Sequence, residues 1–111
     1  MTDKLIVFVT CGSREVAEEI SKTVVTERLA ACVNVLPGIR SCYEWDGKME
    51  WAEELLLLMK TTKDRYEELE SRVRELHSYE VPEILAVPVA TGLEKYLSWV
   101  DTNCRRGGLP L

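Results

Sequence analysis

A chain of 111 residues with 14 Lys and Arg against 19 Asp and Glu carries a formal net charge of −5. That sign disfavours nucleic acid as a partner, since affinity there rests on neutralising phosphates. With 46% hydrophobic residues the chain reads as one domain, 1–111, with a real core, and no apolar run reaches the ~18–20 residues of a membrane span. Met1-Thr2-Asp3-Lys4 runs directly into an apolar segment without the pattern of a secretory leader. The expectation is a cytoplasmic protein whose Cys11, Cys32, Cys42 and Cys104 stay reduced. No Cys-x-x-Cys pair indicates a zinc knuckle or a thioredoxin-type site.

Residues 5–10 form the first predicted strand. Gly12 or Ser13 then caps a helix whose apolar positions Val16, Ala17, Ile20 and Val24 carry it to about Arg28. A second strand starts at 31–35 and is interrupted by Pro37-Gly38, a bulge or bend. The hairpin of 33–61 follows, with Asp46-Gly47 at its tip, the pair that suits a type I′ turn. That turn sets Trp45 opposite Lys48, Tyr43 opposite Glu50 and Arg40 opposite Glu53, the last a charge-complementary pair. Asp64 and Glu67 look like a capping box. Tyr66, Leu69, Val73 and Leu76 mark the inner face of a second helix, with Glu68–Arg72 and Glu70–Arg74 pairs on its outside, ending near His77-Ser78. Residues 83–89 are the fourth strand, closed by Pro88. Leu93, Tyr96, Leu97 and Val100 mark a short third helix, and 104–111 reads as a frayed tail.

Two features of the hairpin point beyond one chain. Residues 49–61 as a single strand run ~40 Å at ~3.3 Å per residue, whereas a domain of this size is roughly 34 Å across as a sphere. The arm therefore overhangs its own body, with an edge open to pairing. The run Leu55-Leu56-Leu57-Leu58-Met59 is also uninterrupted, which implies cover on both faces of the strand. With only three helical segments available, one sheet face is assigned to the chain's own helices and the other to a second copy. The alternative is a monomer with helices on both faces.

Strand, helix, strand, strand, helix, strand and a last helix make an α+β, ferredoxin-like βαββαβ plan with a short C-terminal helix. The sheet is antiparallel, with helices on one face and a long central hairpin. Several segments in this order resemble the CutA divalent-cation tolerance family. They are Arg28-Leu29-Ala30-Ala31-Cys32-Val33-Asn34, Tyr43-Glu44-Trp45-Asp46-Gly47-Lys48, Lys60-Thr61, His77-Ser78-Tyr79-Glu80-Val81-Pro82-Glu83-Ile84, and Tyr96-Leu97 with Trp99. The resemblance implies a cytoplasmic homotrimer of ferredoxin-like subunits, PII-like in architecture, linked to copper and other divalent metals rather than to catalysis. Ser78 departs from the family's usual proline after the histidine, and Cys11 stands one residue beyond the cysteine of some relatives, where this chain has Thr10.

His77, the only histidine, is the best single metal ligand on the chain, and reads equally as a helix-ending residue bonded to nearby carbonyls. Cys32 reads as a small core residue or as a soft ligand for Cu2+ or another divalent metal, with His77 and Cys11. Carboxylates such as Glu50 or Glu80 from a neighbouring subunit would complete such a site. Tyr43, Lys60, Tyr79, Glu80 and Glu83 are candidates to line a cleft between subunits, and Lys60 with Glu83 is also a candidate ion pair. Trp45 and Trp51 read as interface anchors. A metal-binding or ligand-sensing trimer is the leading reading. The alternatives are a small enzyme using His77 as acid or base, or a trimer that scaffolds a partner.

Overall fold

A computed structural model describes residues 2–105. At the hairpin tip Asp46 and Gly47 take φ of 54° and 77°, both positive as a type I′ turn demands. That turn fixes the register between β2 (Cys32–Trp45) and β3 (Lys48–Thr62). Trp45 faces Lys48, Tyr43 faces Glu50 and Arg40 faces Glu53, as expected. The register slips between Leu36 and Ile39, where Pro37 has no N–H to give and Gly38 adopts φ 79°.

β1 (Lys4–Cys11) lies on the other side of β3, and β4 (Ile84–Pro88) pairs with the outer edge of β1. The order is β2-β3-β1-β4, with β3 between β1 and β2 and every pairing antiparallel. This is the split βαβ plan. Pro88 is the last paired residue of an edge strand, where a missing donor costs little.

Alternation sorts the apolar runs into two faces. Val7, Val9 and Cys11 of β1, with Leu57 and Met59 of β3, are fully buried. They pack against Ala17, Ile20 and Val24 of α1 (Arg14–Thr26) and Leu69 and Val73 of α2 (Tyr66–Leu76). The opposite face carries Ile6, Phe8, Leu56 and Leu58, only partly covered, and beside them Leu85 and Val87, which are 60% and 42% exposed. α3 (Glu94–Asn103) closes one end of the sheet, where Val100 packs with Ala31 and Cys104 and Lys4 bridges to Asp101 at 3.0 Å.

β1 reaches β3 only as far as Leu55. Residues 48–54 of β3 therefore project past the body with one edge unpaired, and the chain measures 52 × 26 × 22 Å.

Several local expectations give way to tertiary partners. α1 stops at Thr26, short of Arg28. Arg28 instead takes φ 60° and turns the chain into β2. A 3-10 turn, Lys63–Arg65, precedes α2, and Thr62 donates its hydroxyl to Asp64, so the start of α2 is not built as an Asp64–Glu67 box. Arg72 reaches across to Glu27 at 3.1 Å and along its own helix to Glu75 at 3.5 Å. Cys104, assigned to a frayed tail, is only 3% exposed. The rest of that tail from 106 onward lies outside the described residues.

Candidate functional site

The polar groups gather at the root of the arm, where β1 gives out. After Cys11 the chain turns through Gly12, and Ser13 caps α1 by accepting from the Val16 N–H at 3.2 Å. From the other side, α2 ends at Leu76 and His77 returns to extended backbone. This brings the imidazole under β1. His77 Nε2 lies 2.7 Å from the Thr10 carbonyl, and Nδ1 accepts the Tyr79 N–H at 3.1 Å. A carbonyl can only accept, so Nε2 carries the proton and the ring is held as the neutral Nε2–H tautomer. The Tyr79 ring sits 4.7 Å from the imidazole, centroid to centroid.

Tyr79 then donates its hydroxyl to Glu54 Oε2 at 2.7 Å, and Ser41 donates to Glu54 Oε1 at 2.6 Å. Glu54 is 8% exposed, so both carboxylate oxygens are satisfied inside the fold. Burial, reinforced by Glu54, pushes the Tyr79 hydroxyl up to about 12 and the neighbouring Cys11 thiol up to about 11. A Cβ at Gly12 would meet the Tyr79 hydroxyl at 2.8 Å, so the hydroxyl holds this place because position 12 carries no side chain. Beside this cluster an open cleft of about 740 Å³ runs between the start of α1 and the bulge, edged by Arg14, Glu18, Pro37, Glu53 and Glu54.

The expected metal ligands are not brought together within one chain. Cys11 pairs with Leu55 and Cys32 with Lys60, five residues apart on β3 or ~17 Å. Thr10, which holds His77, pairs with Leu56, so His77 too is roughly 13 Å of strand away from Cys32. Cys11 is fully buried, and both His77 nitrogens are already engaged. Among the described residues no group of three or more His, Cys, Asp or Glu is arranged to hold a metal ion. The subunit by itself therefore does not fit a divalent ion on His77, Cys32 and Cys11.

The other expected residues divide between two places. Tyr79 is in the cluster, and Tyr43, half exposed on the arm, is close enough to push the Tyr79 hydroxyl further up. Glu80 and Glu83 are exposed in the loop before β4. Lys60 lies at the far end of the sheet, donating to Asn34 and reaching Cys32 Sγ at 3.8 Å. Lys60 and Glu83 do not sit across from each other, since Lys60 faces Ile6 whereas Glu83 precedes the partner of Val9. Trp45 and Trp51 are 70% and 60% exposed, with Arg40 stacked 4.5 Å over Trp51. Glu54 and Ser41 were missed. The signal was the doublet Glu53-Glu54, because adjacent strand residues face opposite ways and one of the two must point inward.

A four-stranded split βαβ sheet, helices on one face and a buried polar cluster at the foot of an overlong hairpin define an α+β protein of ferredoxin-like class. Residues 5–103 match the family described as CutA1 divalent ion tolerance protein, and the chain belongs to that family. It is 50% identical over 98 residues to the divalent-cation tolerance protein CutA of Thermus thermophilus, covering 88% of this chain and 95% of that one. The solved CutA of Xylella fastidiosa superposes with a TM-score of 0.92 at 43% identity, covering 94% of this chain and 100% of that one. A structure from Archaeoglobus fulgidus, titled a periplasmic divalent cation tolerance protein, gives 0.89 at 37%, covering 92% and 99%. The chain spans about half the length of the mouse and human relatives, 52% of each.

Proposed function

We propose that the chain works as a cytoplasmic homotrimer in the response to divalent metal, binding copper or another such ion, or sensing a small ligand, where subunits meet. The uncovered sheet face carries this reading. Leu85 at 60%, Val87 at 42% and Leu36 at 39% exposure flank a strip of apolar side chains on the face opposite α1 and α2. A contiguous apolar strip of this kind is an interaction surface. The unpaired edge of residues 48–54 is a second unfinished element, and a closed ring of copies satisfies both. Cys32, half exposed on that same face, would then meet groups from a neighbour. Four free cysteines suit a reducing compartment.

Sedimentation equilibrium at micromolar concentration tests the assembly: a trimer is expected, and a stable 12.7 kDa particle refutes it. Calorimetric titration of copper into wild type and His77→Ala tests the ligand set, and unchanged affinity removes His77 from it.

A further inference from the structure

We propose that the Glu54 cluster is a latch that locks the hairpin arm to the body, with Tyr79 as its bolt. Past Leu55 the arm no longer pairs with β1. Residues 39–54 are then held to the body by chain continuity and by whatever side chains cross the root. The cluster crosses it. Ser41 belongs to β2, Glu54 to β3, Tyr79 to the loop after α2, and Tyr79 is itself held through His77 to the Thr10 carbonyl of β1. Three segments thus meet at one buried carboxylate, with β1 tied to them through His77, beside the bulge that frees the arm from the register of the body.

Tyr79 reaches Glu54 only because position 12 has no side chain. Its hydroxyl occupies the space that a Cβ would fill, 2.8 Å from where that atom would stand. The hydroxyl of Tyr79 and the bare backbone of Gly12 are therefore two independent handles on one hydrogen bond. Tyr79→Phe deletes the donor, and Gly12→Ala pushes the intact ring away from the carboxylate. Gly12 does not need the left-handed region, since only Gly38 and Gly47 among the described glycines have positive φ, so alanine there acts through Tyr79 and not through backbone strain. The latch sets where the arm points, and its consequence for assembly rests on the trimer reading above. The latch itself is a property of one chain.

Hydrogen exchange by mass spectrometry tests it, on samples matched in assembly state by sedimentation. A hydrogen bond to a buried charged group, once removed, shifts a local opening equilibrium by roughly tenfold or more. Tyr79→Phe and Gly12→Ala should each speed exchange in peptides spanning 39–54 by about that factor, leaving β1 and α1 as slow as in wild type. Arg65→Met, which loosens the body far from the arm, is the control and should show no such selectivity. The proposal is overturned if exchange rises evenly along the chain, if 39–54 does not respond, or if only one of the two variants responds. Wild type and variants are compared at equal assembly state, and sedimentation reads the assembly separately, so failure of the latch and failure of the assembly are told apart.

Discussion

Replacing Arg65 by methionine should cost about 2–3 kcal/mol of folding stability. The guanidinium is buried, with its side chain 5% exposed, and joins the two helices at their weakest ends. It donates to the carbonyls of Arg28 at 3.3 Å and Glu27 at 3.4 Å, and to Glu68 at 2.9 Å. The two carbonyls terminate α1, where the helix dipole favours a cation and where Arg28 has already left helical backbone. Glu68 is half exposed, so water screens that pair to ~1 kcal/mol or less. Hydrogen bonds from a charged donor to buried acceptors contribute ~1.5–3 kcal/mol net, and the longer distances place these two near the lower end. Methionine fills much of the same volume, so no large cavity adds to the loss. For a chain of this length the figure corresponds to a fall in Tm of about 10 °C. Guanidinium denaturation followed by circular dichroism, at one fixed protein concentration because the proposed assembly would couple to folding, gives the value directly. Arg65→Lys should recover less than half of it, since an ammonium cannot fork to two carbonyls and a carboxylate at once. A loss under about 0.5 kcal/mol with unchanged m-value would refute the reasoning, because burying the cation would then cost as much as its contacts return.

Leu85→Lys should dissociate the assembly in sedimentation velocity while leaving the far-ultraviolet spectrum intact, since Leu85 is already 60% exposed in the single chain. A wild-type sedimentation coefficient in that variant would remove the sheet face from the interface. Stability should fall as pH rises above 9.0. Burial lifts Cys11 from 9.0 to about 11, and Tyr66 and Tyr79 from 10.0 to about 12. The unfolded chain therefore releases these protons first, so the stabilisation is complete below pH 9.0 and lost as pH climbs through the folded values. Denaturant midpoints across that window check the sign, and Cys11→Ala should flatten the segment up to about 11. Thiol titration of the native protein with a disulfide reagent should modify Cys42, which is exposed, well before Cys11 and Cys104, which are buried. Equal rates for the three would contradict the burial of β1.

What the sequence made legible was what short-range chemistry decides. Asp46-Gly47 selects one turn, and the turn fixes each later pair of the arm because the strand period is two. Pro37-Gly38 announced its bulge for the same reason. What stayed hidden depends on partners far along the chain. The guanidinium of Arg72 has candidate carboxylates on its own helix, yet it also takes both oxygens of Glu27, 45 residues away. Glu54 looked like one more surface charge until Tyr79, 25 residues on, came down onto it. Cys104 looked like tail because nothing local shows that Ala31 and Val100 will close over it.

The nominated metal ligands lie apart within one chain for a related reason, and that separation narrows where an ion can sit. Residue type nominated His77, Cys32 and Cys11, but type carries no distance. The sheet register does, and it places Cys32 at the end of β3 opposite to the end that holds the other two. At that first end His77 is spoken for by a carbonyl and an amide, and Cys11 is sealed in the core. Cys32 alone of the three lies on the sheet face opposite α1 and α2, beside Tyr96 of α3 and with the Lys60 ammonium at 3.8 Å. A sulfur that already accepts from an ammonium is poorly placed to share a cation unless that lysine turns away. If an ion binds at Cys32, the remaining ligands come from another copy, and Lys60→Met should raise copper affinity measured by calorimetry. An unchanged or lower copper affinity in that variant would refute this placement of the ion.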